Sequence, residues 1–214
     1  MERATTTGVL ASAGFLLAFL AVGPVSGALA DRPLPLPDAA PAETEAYYLA
    51  NPAAVGWSAV LQVVSVACLA VFVIGLAPAL RAAGATWLPP VGRLSVVAMV
   101  VSSALSAVLL VVAPVADDAT VDALRRASFY AGGVATVVSL GVFVLGSAVT
   151  LGRERLFGSP TRWFGLIAGT LAALSVLSLA FYYASALLPI GRVLCMVWTV
   201  VVAVVVLRRV RVEG

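Results

Sequence analysis

Histidine and lysine are both absent from this chain of 214 residues, and its basic charge rests entirely on 13 arginines. Without imidazole, neither Ser/His/Asp nor Cys/His activation of a nucleophile is available, and no zinc or haem is held through histidine. Without lysine there is no Schiff-base chemistry and no phosphate-binding lysine of the P-loop kind. Asn51 and Gln62 are the single asparagine and glutamine. With Ala, Val, Leu, Gly and Arg in their place, the composition reads as that of a GC-rich bacterial genome.

Charge is scarce as well: 11% of residues are charged against 62% hydrophobic, and the mean hydropathy is +1.10. A soluble domain carries about twice that share of charge, so the chain reads as an integral membrane protein. Six spanning helices of about 20 residues each would use about 120 positions, which leaves no room for a soluble catalytic domain. The net charge of +3 and pI near 9.2 need only reflect arginine held at the cytoplasmic face, so nucleic acid is not implied as a partner. Cys68 and Cys195 lie in apolar runs without CxxC spacing and read as free, inert thiols.

Long charge-free stretches run from Ala4 to Ala30, Trp57 to Leu80, Leu94 to Ala116, Ala127 to Gly152, Trp163 to Gly191 and Val193 to Leu207. Pro189 and Gly191 punctuate the last two. The expectation is an all-α, six-helix transmembrane bundle forming a single domain, with spans at about 7–30, 57–80, 94–116, 127–151, 163–183 and 190–207. Arg3, Arg81, Arg93, Arg153, Arg155, Arg162, Arg208, Arg209 and Arg211 fall on one side, against Arg32, Arg125, Arg126 and Arg192 on the other. The positive-inside rule then puts both termini in the cytoplasm, and 31–56 and 117–126 outside. Trp57, Phe129, Tyr130, Tyr182 and Tyr183 fall at outer span ends, Trp87 and Trp163 at inner ones, with Trp198 an exception in mid-span. Ala28, Leu29 and Ala30 before Asp31 also fit a signal-peptide cleavage site, so the first apolar run reads either as a retained span or as a removed leader.

Between the first two spans, Pro41 to Pro52 reads as a short helix, with Tyr47, Tyr48 and Leu49 at the lipid headgroups and Glu43 and Glu45 toward water. No ionisable residue falls in the middle of a span, which argues against a proton-coupled pump, a voltage sensor or a carboxylate-based intramembrane enzyme. Gln62, Ser65, Ser102, Ser103, Ser106, Thr136, Ser139, Ser175 and Ser178 are the main polar side chains within spans. They read as interhelical hydrogen-bonding groups, with Gln62, Ser102 and Ser106 as candidates for a polar solute path. Small residues recur at four-residue spacing in Gly165, Gly169 and Ala173, in Ala98, Ser102 and Ser106, and in Gly23 and Gly27. Such rows favour close helix packing, within the chain or across a homodimer.

Arg192 lies between two apolar stretches and keeps its charge, so it either snorkels to the headgroups or finds an acid. Asp117 and Asp118 are its candidate partners at the outer face. Asp122, three and four residues before Arg125 and Arg126, is expected to be engaged on its own helix.

The acidic loop ending in Glu43, Tyr47, Tyr48 and Asn51, the entry to span four from Leu124 to Tyr130, and Pro160, Trp163 and Gly165 at span five together carry a resemblance. The pattern resembles a family of six-span bacterial membrane proteins of unknown function, actinobacterial in type. Arg162 and Phe164 fall within the Pro-to-Gly motif here, and Gly158 and Ser159 precede it. The resemblance implies topology over nearly the whole chain and no catalytic residue. The expected function is that of a non-enzymatic accessory or interaction protein of a bacterial plasma membrane, partnered by the lipid bilayer and by another membrane protein. The alternative is a small transporter or binding protein for a neutral or lipid-like solute. No catalytic, cofactor-binding or metal-ligating residue is assigned. A polar cavity joining Gln62 to the serines of span three favours the solute reading, and a dry, closely packed interior favours the accessory one.

Overall fold

The computed structural model describes residues 2–33, 35, 41–112, 115–180 and 185–213. Every regular element among them is helical: α1 (Glu2–Leu29), α2 (Pro41–Ala50), α3 (Pro52–Ala82), α4 (Leu88–Val112), α5 (Asp118–Phe129), a π-turn (Tyr130–Ala135), α6 (Thr136–Arg153), α7 (Ser159–Leu174), a 3-10 turn (Ser175–Leu179) and α8 (Leu187–Glu213). Six segments are long and apolar enough to cross a membrane, at Thr6–Leu29, Pro52–Ala82, Leu88–Val112, Asp118–Arg153, Ser159–Leu179 and Leu187–Val206. The protein is an all-α, six-helix transmembrane bundle.

Most of these helices begin several residues before the charge-free runs, and proline marks where. Pro41 opens α2, Pro52 opens α3, and Pro89, Pro160 and Pro189 lie in the first turns of α4, α7 and α8. The first turn of a helix has backbone N–H groups without intrahelical acceptors, so a residue lacking that group costs nothing there. Pro189 and Gly191, expected to punctuate a turn, therefore sit inside α8. Gly191 is small for a packing reason, since a Cβ on it would lie 2.6 Å from Ala172 Cα of α7.

The spans close into a ring in which α1 lies between α3 and α8, α7 joins α8 to α6, and α4 joins α6 back to α3; α6 also touches α8 across the middle. The core is concentrated toward the end where α3 turns into α4 and α6 into α7, with Leu80, Leu88, Leu151, Phe157 and Trp198 buried in one cluster that extends to Phe15 and Leu140. Trp198, out of place as an interfacial residue, is fully buried; its indole donates to the Thr161 carbonyl at 3.1 Å and its ring meets Phe157 edge-on at 6.2 Å. Trp57, Trp87 and Trp163 are exposed, as are Leu10, Ile74 and Val111, which form part of the apolar outer surface that lipid covers. Tyr182 and Tyr183 lie outside the described residues.

At the opposite end, α2 and α5 pack together outside the ring. Tyr47 does not rest at a headgroup surface: it is 2% exposed, packed within the protein, whereas Leu49 is exposed. Asn51 ties this cap to α1, accepting from the Asp31 N–H at 2.9 Å and donating to the Tyr47 carbonyl at 3.0 Å. A second, small core of Leu109 and Val121, flanked by Tyr48 and Leu124, seats α5 on α4.

Candidate functional site

Two well-packed regions, the large core at one end and the Leu109–Val121 core at the other, leave the intervening part of the bundle less filled. A partly open cavity of about 440 Å³ lies there, within the usual size range of small-molecule sites. Its polar lining comes from Gln62 on α3, Ser102 and Ser106 on α4, Ser128 on α5, and Arg192 on α8. Phe19, Val22, Met99 and Leu188 supply apolar wall. Gln62, Ser102 and Ser106, proposed from sequence as intramembrane polar groups, are thus brought to one space together with Arg192.

The serines hold the cavity's edge in a defined geometry. Ser102 Oγ donates to the Ser128 carbonyl at 2.9 Å, Ser128 Oγ donates to the Ser102 carbonyl at 3.1 Å, and the Ser106 and Ser128 hydroxyls are 3.0 Å apart. Reciprocal bonds of this kind lock α4 against α5, each worth roughly 0.6 to 2 kcal/mol. Gln62 Oε1 accepts a longer bond of 3.4 Å from Ser103, so its amide nitrogen is not engaged in that contact.

The π-turn borders the same space. Gly132 and Gly133 line it, and a Cβ on Gly132 would collide with the Ser102 side chain. A π-turn inserts one extra residue into a helix and is frequent at functional sites. Here Thr136 N–H reaches back to the Ala131 carbonyl, with the Thr136 hydroxyl bonding the same oxygen.

Arg192 reaches from α8 across the bundle. Its Nη2 donates to the Gly132 carbonyl, and its guanidinium carbon lies 5.0 Å from the centre of the Phe19 ring, a cation-π distance. The expected ion pair with Asp117 or Asp118 is not formed among the described residues, where the ion pairs are those of Asp122 with Arg125 and Arg126 at 2.9 and 2.7 Å. The reason is local: Asp117 is the N-cap of α5 and accepts from the Thr120 N–H at 2.9 Å. The hydrogen bonds from Thr120 hold its carboxyl below the usual carboxylate range. Nor does Arg192 snorkel outward, because its side chain is directed into the ring.

Gly165 and Gly169 lie away from the cavity, on the face of α7 that meets α6 and α8. A Cβ on Gly165 would strike the Trp198 indole and stand 2.6 Å from Ala148 Cβ, and one on Gly169 would stand 2.6 Å from the Leu145 backbone nitrogen. Gly23 and Gly27 have nothing within 4 Å of an added Cβ, so that small-residue row makes no close contact among the described residues. Ser128, Gly132 and Phe19 escaped sequence reasoning. The Gly132–Gly133 pair inside an apolar run was a usable signal for irregular backbone, while nothing local distinguishes Phe19 from its apolar neighbours.

Fold and site together define a multi-pass membrane bundle with a mainly apolar cavity between its helices, lined on one side by Arg192 and a few neutral polar groups. No family model matches the chain, and no curated protein or solved structure matches it.

Proposed function

We propose that this chain is a multi-pass protein of a bacterial plasma membrane that binds a small lipid-like molecule in the cavity between α1, α3, α4, the π-turn and α8. The observation that carries this reading is the convergence of Gln62, Ser102, Ser106 and Arg192 on a single space of about 440 Å³, where an accessory protein needs only a dry interior. Among the described residues the lining supplies a guanidinium, hydroxyls and an amide and no carboxylate or thiol, which supports binding or carriage rather than acid-base catalysis. The arginine distribution supports cytoplasmic termini, with the α2–α5 end and the cavity on the outer side.

The test is native mass spectrometry of the full chain released from nanodiscs, comparing it with the double variant Val22→Trp/Met99→Trp, which places two large rings on the cavity wall, and with Val22→Phe, which narrows it. Retention of small amphiphiles by the unaltered chain and their loss in the double variant supports the reading. Copurification of a stoichiometric protein partner, with identical lipid content in every form, overturns it in favour of an accessory role.

A further inference from the structure

We propose that the cavity takes the anionic head of an amphiphile, with carboxylate or phosphate oxygens on the Arg192 guanidinium and the tail along the wall formed by Phe19, Met99 and Leu188. This rests on the binding reading above and adds the charge of the ligand.

The argument is one of uncompensated charge. Guanidinium stays protonated in proteins and is expensive to hold away from water, and Arg192, half-buried on the wall of a partly open cavity, is turned toward the bundle interior. Its partners among the described residues are the Gly132 carbonyl and the Phe19 ring. Both are neutral. No described carboxylate lines the cavity; Asp117 serves its own helix cap and Asp122 serves Arg125 and Arg126. The cavity therefore carries a formal positive charge that no described residue on its walls balances.

Hydrogen-bond capacity points the same way. A guanidinium presents five N–H donors in a planar fork matched to two oxygens of a carboxylate or phosphate, and one bond goes to Gly132. The Gln62 amide nitrogen, which its contact with Ser103 does not use, lines the same space and offers a further donor to an oxyanion, while the Ser102 and Ser106 hydroxyls are held by Ser128. The remaining wall is apolar, which suits a chain attached to the head group rather than a free, fully hydrated anion. A neutral solute, by contrast, leaves the arginine charge unbalanced.

The experiment uses the full chain in dodecyl maltoside micelles, titrated with dodecyl phosphate and with dodecanol, which share a tail and differ in head. Dodecyl phosphate is expected to bind at least about tenfold more tightly than dodecanol, as a charge-assisted pair implies, and Arg192→Gln is expected to erase the difference. Arg192→Lys, which keeps the charge and loses the fork, should fall between. Displacement of dodecyl phosphate by phosphatidylglycerol assigns the site to a bilayer lipid head, and its absence assigns it to a single-chain amphiphile; both support the proposal. Equal displacement by inorganic phosphate overturns the amphiphile. Equal binding of dodecyl phosphate and dodecanol, both lost in Val22→Trp/Met99→Trp, overturns the anion and leaves the cavity reading standing, whereas binding unaffected by that double variant overturns both. The comparison of the two heads on the unaltered chain holds even if Arg192→Gln fails to fold.

Discussion

Trp198 on α8 and Gly165 on α7 fit one another: the indole lies where a Cβ on residue 165 would stand, and its nitrogen donates to the Thr161 carbonyl one turn earlier on the same helix. The largest buried side chain of the protein is thus packed against the smallest residue, with its one polar atom satisfied. Trp198→Phe keeps the ring but removes the donor and part of the volume, and is expected to cost about 1 to 3 kcal/mol. Trp198→Ala should cost more, about 3 to 5 kcal/mol. Reversible unfolding in mixed micelles measures both, and equal losses would mean that the ring contributes nothing beyond the hydrogen bond.

Glycines at different positions should behave oppositely. Gly169→Ala forces its methyl against the Leu145 nitrogen and the Gly141 carbonyl, backbone atoms that cannot swing aside, so a loss of about 1 to 3 kcal/mol is expected. Gly23→Ala meets open space and should be neutral or gain up to about 1 kcal/mol from helix propensity. Thermal midpoints of the two variants in one detergent decide this; a shared direction would refute the packing role of Gly169.

The two turns joining α3 to α4 and α6 to α7 use the same left-handed backbone conformation, with different residues in it. Gly84 adopts φ +77 and Arg155 adopts φ 54, and in each case the next N–H returns to the carbonyl five residues back, from Ala85 to Leu80 and from Leu156 to Leu151. Glycine takes this conformation freely, whereas a residue with a Cβ is strained by roughly 1 to 2 kcal/mol. Arg155→Gly is therefore expected to stabilise the protein by up to about 1 kcal/mol, after the greater entropy of glycine in the unfolded chain is subtracted. A lower thermal midpoint in that variant would show that the arginine side chain has a role at this turn.

Asp117 gives α5 a pH dependence. Its carboxyl is held below the usual range by hydrogen bonds from Thr120, so the folded form binds the proton less readily than the unfolded one. The cap is fully present above the unfolded value of about 3.9 and is lost as pH falls through the lower folded value. Hydrogen exchange at the first turn of α5 should rise below about pH 4 beyond the intrinsic rate, and Asp117→Asn should flatten that rise. An unchanged profile in Asp117→Asn would remove the carboxylate from the account.

Orientation is open to direct labelling. Glu43 and Ser159 are both exposed and lie at opposite ends of the bundle, while Thr44 is buried at 5% exposure and is a poor reporter. In intact cells, Glu43→Cys should react with an impermeant maleimide and Ser159→Cys should not. The opposite pattern would invert the proposed topology.

The bundle was legible in the sequence because a spanning helix is specified locally, by a run of apolar residues of sufficient length. The close contact at Gly165 and Gly169 was half-legible: their spacing suggests a seam, and Gly23 with Gly27 suggests another that the structure does not contain, because spacing says nothing about which face meets a neighbour. Helix starts were misplaced wherever charge was used as the boundary and proline was read as a break, as at Pro189. The partner of Arg192 was not legible at all. Gly132 lies 60 residues away and offers a main-chain carbonyl, a group every residue has, and Asp117 was a credible acid only until its own helix N-terminus claimed it.

The π-turn also sets the clocking of α5 against α6. One residue of helix is about 100° of rotation and 1.5 Å of advance, so the extra residue within Tyr130–Ala135 fixes the angular phase between two faces of one continuous helical rod. With that phase, Val121 points at Leu109 on α4 while Val137 and Leu140 of α6 stay in the main core. With the turn kept wide, deleting a single residue there would swing Val121 away by over a quarter turn and bring Thr120 to the place Val121 had filled. The rod thus works as a keyed shaft, in which the twist at the Gly132–Gly133 pair dictates what α5 shows to the rest of the cap.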